Sequence, residues 1–377
     1  MIENKKLLFV VNVDWFFISH RLPIALKSIE NGYEVHIACG ITDKKEYLES
    51  LGLIIHPVNI SRGGMGIVSE VKTFFLIYKV LKNVQADIVH FITIKPVLYG
   101  GIASRILNIK NRVFSISGLG YIFVTDGFKN KIIRSFVKLL YKFALDGAES
   151  KIIVQNKDDK NVILDLNVCD EKQITLIRGS GVDLNLYKYE EEKNRTPIVV
   201  MASRLLKDKG VFEFIEAVNI LKNRNIDAVF HLYGDMDENN RATLTIQDLE
   251  KIKKNKNIEI YGFSSNIEKI FRDSNIVVLP SYREGLPKVL IEAAACGRAV
   301  ITTDVAGCRD AIENGKTGLL VEVKNSNALA DAIEKLINNK KLRINMGKEG
   351  RKLAEKEFSI ETVVKIHLAI YKSYGDN

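Results

Sequence analysis

Short apolar runs alternate with helix-patterned segments along almost the whole 377-residue chain. LLFVV (7–11), YEVHIAC (33–39), LIIHPV (53–58), ADIVHFI (86–92), RVFSIS (112–117) and KIIVQN (151–156) carry apolar residues on both side-chain alternations. Each therefore predicts a strand covered on both faces. Helical patterns lie between them: one capped by Ser19 and ended by Gly32, then others over about 67–83, 96–107 and 128–145. A succession of this kind builds a parallel sheet with helices on both sides. The rhythm stops at 178–196, RGSGVDLNLYKYEEEKNRT, which has two glycines and a charge cluster and reads as a linker. It restarts with PIVVMAS (197–203), AVFHLYG (228–234), IEIYGF (258–263), IVVLPS (276–281), AVITT (299–303) and GLLVE (318–322). Helices are expected over 210–223, 243–254, 266–272 and 287–296, and three more, 326–338, 340–356 and 359–373, end the chain. The fold class is thus α/β, with two Rossmann-like domains, 1–180 and 190–358, and the helix in 359–377 packing back on the first. Ligands of such sheets sit at the carboxyl ends of the strands, so a cleft between the two domains is the expected site.

The formal net charge of +9 and pI near 9.1 favour phosphate-bearing partners: nucleotides, nucleic acid or an anionic membrane surface. The first half is the more basic, with 25 Lys and Arg against 19 Asp and Glu up to residue 190 and 30 against 27 beyond it. Cys39, Cys169, Cys296 and Cys308 show no zinc or redox spacing, so reduced thiols in a cytoplasmic protein are expected. The opening run Leu7–Val11 is too short for a signal peptide and fits a buried strand. No stretch reaches the roughly 18 apolar residues that span a bilayer, so any membrane contact is expected to be peripheral.

Three motifs follow strands of the second half. In ASRLLKDKG (202–210), Arg204 and Lys209 bracket a loop that leads into a helix; two cations there suit a diphosphate, although a solvated basic loop has the same composition. In SYREGLPKVLIEAAACGRAV (281–300), Pro287 and Gly297 delimit a helix with Glu284 at its entrance and Glu292 among Leu, Ile and Ala. A buried acid needs donors: ribose hydroxyls, or a salt bridge to Arg298 or Lys288. In IYGF (260–263) the strand-end loop could hold a nucleobase, while Tyr261 and Phe263 could equally pack in the core.

Together SRLLKDKG, YGF, PSYREGLPKVLIEAAACGRAVI and ENGKTGLLV (313–321) resemble the retaining glycosyltransferases of the GT-B fold, family 4 or group 1. DWFFISHRLPIA (14–25) looks like the subgroup that extends polyprenyl-diphosphate-linked saccharides and O-antigen or capsule chains. The resemblance implies that Arg204 and Lys209 contact the nucleotide diphosphate and that Glu284 hydrogen-bonds the donor sugar. Glu292 would hold the ribose. The amides of Leu286, Pro287, Lys288 and Val289 would line phosphate and sugar, and Gly262 and Phe263 would border the base. It implies a UDP-sugar donor, N-acetylhexosamine or hexose, and a polyprenyl-diphosphate-linked saccharide acceptor in lipopolysaccharide or capsule assembly. The location implied is cytoplasmic and peripheral, at the inner face of the membrane. No DxD-type cluster is evident, so no metal and no other cofactor are expected, nor is nucleic acid.

The acceptor side is less defined. Many relatives carry a histidine where this chain reads SISGLGYIF (115–123), so the acceptor-side candidates are Asp14, His20, His90, Ser117 and Gly118, with a core role the main alternative for His90. In helix 128–145, Lys131, Arg134, Lys138 and Lys142 recur on one face, and Ile132, Phe136, Leu139, Leu140 and Phe143 on the other. That suits either an ordinary surface helix or one that meets anionic lipid. Two other readings remain: a non-hydrolysing UDP-N-acetylglucosamine 2-epimerase on the same fold, and a non-catalytic nucleotide-sugar-binding protein.

Overall fold

A computed structural model describes residues 5–60, 66–118, 128–193, 195–237, 240 and 242–374, with the side chains of 67 and 128–136 left out. The chain divides into two compact units, residues 1–180 with 361–377, and residues 181–360.

The first unit is built on β1 (Lys6–Val13), β2 (Glu34–Gly40), β3 (Ile54–Pro57), β4 (Ile88–Ile92), β5 (Arg112–Ile116), β6 (Lys151–Val154) and β7 (Ile174–Leu176). They form one sheet, in the order β3-β2-β1-β4-β5-β6-β7, with every pairing parallel. All five residues of β4 and of β5 are buried, which is why their sequences lack alternation. The second unit holds β8 (Ile198–Ala202), β9 (Val229–Tyr233), β10 (Glu259–Tyr261), β11 (Ile276–Leu279), β12 (Ala299–Thr303) and β13 (Gly318–Val321). Their order, β10-β9-β8-β11-β12-β13, is again fully parallel. Each sheet has a switch point where the order reverses, between β1 and β4 and between β8 and β11.

Several local expectations change. Ser19 is not a cap, because it lies inside the helix Asp14–His20; the next helix, Leu22–Glu30, begins beyond Arg21. The buried Arg21 leaves helical geometry at φ −134°, and Pro23 opens the second helix without the amide the first would need. The helix expected over 96–107 begins as a π turn, Pro96–Gly100, before Gly101–Ile106. The one expected over 340–356 is Lys340–Leu353, followed by the π turn Ala354–Phe358. The segment read as a linker is packed from Gly181 on. Val182 and Tyr187 are core residues of the second unit, and Glu192 forms a buried pair with Arg343 at 3.0 Å. Its charge cluster is a set of partners, not a solvated spacer.

The last helix, Ile360–Lys372, belongs to the first unit from Glu361 on. Buried Tyr371 packs edge-on to Phe9 at 6.3 Å, and its hydroxyl hydrogen-bonds His90 at 2.7 Å. In the helix Phe128–Leu145 the buried side chains are Val137, Tyr141, Ala144 and Leu145. Leu139 and Phe143, expected on the apolar face with Leu140, are exposed instead beside Lys138 and Lys142. Lys131, Ile132, Arg134 and Phe136 lie outside the described side chains.

Candidate active site

At the second switch point the chain leaves β8 as Ser203–Arg204-Leu205-Leu206, makes a 3-10 turn over Lys207–Lys209, and enters the helix Val211–Asn223 through Gly210. Gly210 has φ +76°, and a Cβ there would stand 2.1 Å from the carbonyl oxygen of Pro280. Only glycine lets this loop lie against the end of β11. The two loops are then stitched together: Tyr282 N–H donates to the Asp208 carbonyl at 2.8 Å, the Ser281 hydroxyl to the same oxygen at 3.1 Å, and the Tyr282 hydroxyl to Glu213 at 2.6 Å. The loop after β12 closes the third side. Gly307, at φ +78°, passes so near that a Cβ would meet the Glu284 carbonyl oxygen at 2.4 Å, and Glu284 N–H donates to Ala306 at 3.2 Å.

This stitching sets the Lys209 ammonium on the Glu284 carboxylate, with side-chain exposures of 16% and 13%. A pair this sheltered holds its geometry, and removing one partner would strand a charge at a cost of about 3–5 kcal/mol. Arg204 turns the other way and pairs with Asp237 at 2.6 Å, while Leu205 N–H fixes its loop to the Asp235 carbonyl at 2.9 Å. The two cations are thus each held by a carboxylate, at the one place in this sheet where a ligand finds diverging strand ends.

The helix Lys288–Ala295 starts after Pro287, three residues beyond Glu284, so its positive end lies at the same loop. Leu286 and Leu290 are buried in the core beneath, and Val289 packs against it. Glu292 is buried on this helix, 3.3 Å from Lys288 and hydrogen-bonded to Tyr187. Burial pushes its carboxyl above the ordinary range, and Lys288 and Tyr187 oppose that shift. Its acid is therefore satisfied by protein groups, so its burial does not require a ribose. Arg298, the other partner the sequence allowed, donates to the carbonyls of Cys296 and Ser274 at 3.1 Å each. Tyr187 and Asp237 were invisible to motif reasoning, because each comes from a separate segment with no local signature.

At the far side of the sheet Tyr261 stacks on Tyr233, with ring centroids 4.6 Å apart and planes 9° apart. Tyr261 and Phe263 are 40% and 78% exposed, so neither is the core residue that remained an alternative. Gly262 is exposed between them. Among the described residues no three His, Cys, Asp or Glu side chains converge as a metal site.

In the first unit the candidates separate. Asp14 is buried, and its carboxylate accepts from the Thr42 amide at 2.7 Å and the Thr42 hydroxyl at 2.9 Å. It ties down the loop after β2. His90 is also buried, bonded to Ser115 at 2.6 Å and to Tyr371; burial, with His367 and Arg21 nearby, holds its pKa well below the ordinary value. Both side chains are buried and engaged within the first unit. His20 stacks on Phe16 at 4.2 Å. Phe16, Ser117 and Gly118 in turn line a cavity of about 330 Å³ at the first switch point, with Asn12 and Thr93. Gly120 lies outside the described residues.

The family follows from similarity to known proteins. Residues 186–353 match the model of glycosyl transferases group 1, and residues 6–156 that of glycosyl transferase 4-like proteins. The N,N'-diacetylbacillosaminyl-diphospho-undecaprenol alpha-1,3-N-acetylgalactosaminyltransferase of Campylobacter jejuni is 31% identical over 353 residues, covering 88% of this chain and 91% of that protein. The chain belongs to the group 1 glycosyltransferases. A second relative of this glycosyltransferase, the Escherichia coli UDP-Gal:alpha-D-GlcNAc-diphosphoundecaprenol alpha-1,3-galactosyltransferase, is 27% identical over 309 residues, covering 78% of each chain. The crystal structure of Anabaena HepE in complex with UDP superposes with a TM-score of 0.76 at 17% identity, covering 98% of this chain and 100% of that one. The fold of the enzyme is GT-B.

Proposed function

We propose that this enzyme transfers a sugar, N-acetylhexosamine or hexose, from a UDP-sugar to a lipid-diphosphate-linked saccharide, with retention, in bacterial surface polysaccharide assembly. The observation that carries the reading is the Lys209–Glu284 pair, clamped by three loops at the switch point of the second sheet and at the start of the helix Lys288–Ala295. Cleaving a glycosyl–phosphate bond builds negative charge on the departing diphosphate. Lys209, Arg204 and the helix-end amides of Leu286, Lys288 and Val289 are suited to receive it, the two cations by sharing their charge between carboxylate and diphosphate. Pro287 has no amide to give; it sets the turn that aims the others. Glu284 holds Lys209 in place before the donor arrives and accepts hydrogen bonds from the donor sugar afterwards. Glu292 faces the ribose, and Gly262 and Phe263 form the exposed rim for the base. Charge neutralisation by Arg204 and Lys209 makes the transfer independent of a divalent metal.

The two named relatives support the acceptor class, since both are named for undecaprenol-diphosphate sugars, and the UDP in HepE supports the nucleotide. No helix among the described residues is long and apolar enough to cross a membrane. Our reading places contact with the lipid acceptor on the first unit, from the cytoplasmic side. There the exposed Leu139 and Phe143 beside Lys138 and Lys142 combine apolar area with positive charge, the composition of a face that meets anionic lipid.

The test is a panel of nucleotide sugars against lipid-diphosphate saccharides, with the anomeric configuration of the product read by NMR. UDP-sugar consumption that gives an α-linked lipid product, undiminished by chelator, is expected. Interconversion of UDP-sugars without acceptor, or an inverted product, would sink the reading.

A further inference from the structure

The first sheet has a sheltered lysine–carboxylate pair at its own switch point. Lys95 follows the carboxyl end of β4 by three residues, and its ammonium lies 2.7 Å from Glu70, with side-chain exposures of 19% and 21%. Glu70 stands in the first turn of the helix Ile67–Val84, and its second oxygen accepts from the Tyr99 hydroxyl at 2.6 Å. Burial and the carboxylate push the Tyr99 hydroxyl above its ordinary range, so it stays a donor. Lys95 and Tyr99 reach the same carboxylate around the π turn Pro96–Gly100. Such turns are rare and recur at functional sites. Both oxygens of Glu70 are engaged, which fixes the carboxylate and, through it, the lysine. A sheltered ion pair is a weak source of stability, because desolvation offsets the attraction, so stability alone does not account for it.

Lys95 also lines the cavity of about 330 Å³ at the carboxyl ends of β1, β4 and β5. Among the described residues of that lining it alone carries a charge. The other polar groups are wall rather than contact. Asn12 Oδ1, Thr93 Oγ1 and Ser117 Oγ are themselves buried. Tyr141 is 1% exposed, and burial, with Asp159 nearby, keeps its hydroxyl neutral. Phe16, Val97 and Ile116 are apolar. An occupant therefore meets an apolar space with one cation in its lining. The volume is at the small end of ligand pockets and suits a single sugar ring. In a lipid-diphosphate saccharide the first sugar and the phosphate share one oxygen, so a ring in the cavity carries its phosphate to the lining. An ammonium is a compact charge with three donors and can share itself between Glu70 and a phosphate. We propose that Lys95 binds the diphosphate of the lipid-linked acceptor, with the adjoining sugar in the cavity and Glu70 and Tyr99 as positioning residues. The proposal rests on the lipid-diphosphate acceptor reading of the proposed function and adds to it the group that recognises the phosphate.

The kinetic test compares two acceptors with the same sugar and the same lipid chain, joined by a diphosphate in one and by a glycosidic oxygen in the other. The parent enzyme should prefer the diphosphate acceptor in kcat/KM. Lys95→Met combined with Glu70→Gln removes both charges with little change in volume, so no ion is left stranded. The pair of substitutions should raise the diphosphate acceptor's KM about 10- to 100-fold, the range for one hydrogen bond to a charged group, and cut the preference by the same factor. Lys95→Arg keeps the charge and should recover part of the preference. Glu70→Gln alone should raise that KM less, because the lysine keeps its charge and loses only its fixed place. An equal loss on both acceptors, with the preference untouched, would make the pair a structural brace and overturn the proposal. A binding measurement separates it from the transferase reading. Calorimetry on the intact enzyme with UDP at saturation compares farnesyl diphosphate, farnesol and inorganic pyrophosphate. Farnesyl diphosphate should bind the parent, and the doubly substituted enzyme about 10-fold or more weakly. That result upholds the site even if no transfer to a lipid-linked sugar is found. Pyrophosphate binding as tightly as farnesyl diphosphate would assign Lys95 to the free ion, and farnesol binding as tightly would leave it no phosphate to hold; either overturns the proposal. Transfer to both acceptors without preference sinks the Lys95 assignment and leaves the transferase reading standing.

Discussion

Gly210, at the entrance of the helix Val211–Asn223, and Thr93, directly after β4, adopt almost the same backbone angle, φ +76° and +73°, in opposite surroundings. At Gly210 the surroundings leave no room for a side chain, and the missing Cβ lets two loops lock into the Lys209–Glu284 arrangement. At Thr93 the surroundings are a cavity, and a β-branched side chain stands at an angle that glycine would adopt more freely. The second unit thus places its charges by close approach, with cation and acid already paired. In the first unit Asn12 Oδ1, Thr93 Oγ1 and Ser117 Oγ are buried without a hydrogen-bond partner. A pre-paired site suits a ligand whose charge must be met in a fixed geometry.

The contrast breaks most readily at Lys209. Lys209→Ala, assayed by steady-state kinetics, should lower kcat about 10²- to 10³-fold, the loss expected when one preorganised charge facing a leaving group is removed. Arg204→Ala should cost less than Lys209→Ala, because Arg204 is 44% exposed and its positive charge is shared with Asp237. Next in size is Gly210→Ala. The Pro280 carbonyl and the positive φ together predict a loss of about 2–4 kcal/mol in denaturant unfolding, against no loss for Thr93→Gly at a matching angle. If both substitutions destabilised equally, the backbone account of the two sites would fail.

A smaller effect concerns the core that joins the last helix to the first sheet. Burial holds His367 down to about 3, and His90 is also held low by burial. Both are therefore neutral when folded, whereas the unfolded chain protonates them near pH 6.5. Stability from these groups is complete above that value and is lost as pH falls through the window towards about 3. The unfolding temperature should decline from pH 7 to pH 5, and His367→Asn should flatten the slope.

The strand rhythm made both sheets legible because parallel strands buried on two faces leave an uninterrupted apolar signal. The helix after Pro287 was legible too, since Pro287 and Gly297 mark its ends, and the structure runs it over Lys288–Ala295. What could not be read were partners brought by topology. Tyr187 reaches Glu292 from a segment that looked like a linker, Asp237 reaches Arg204 from the next strand end, and Asn12, Thr93 and Ser117 line one cavity only because β1, β4 and β5 are neighbours. The partners of Asp14 and His90, two of the acceptor-side candidates, were equally out of reach. In each case the residue type was suggestive, and its use in fixing Thr42 or Tyr371 depended on contacts 28 and 281 residues away.

The central claim is that Glu284 and Glu292 do different work: one holds Lys209 and meets the donor sugar, the other sits deeper on the helix and faces the nucleoside. Calorimetric titration of UDP into Glu284→Gln and Glu292→Gln, beside transfer rates for the same variants, tests it directly. Glu284→Gln should abolish most transfer while UDP binds as tightly as in the parent or tighter, because Lys209 is released from its carboxylate and becomes available to the diphosphate. Glu292→Gln should weaken UDP itself about 10-fold. Equal losses of UDP affinity in the two variants would contradict the account.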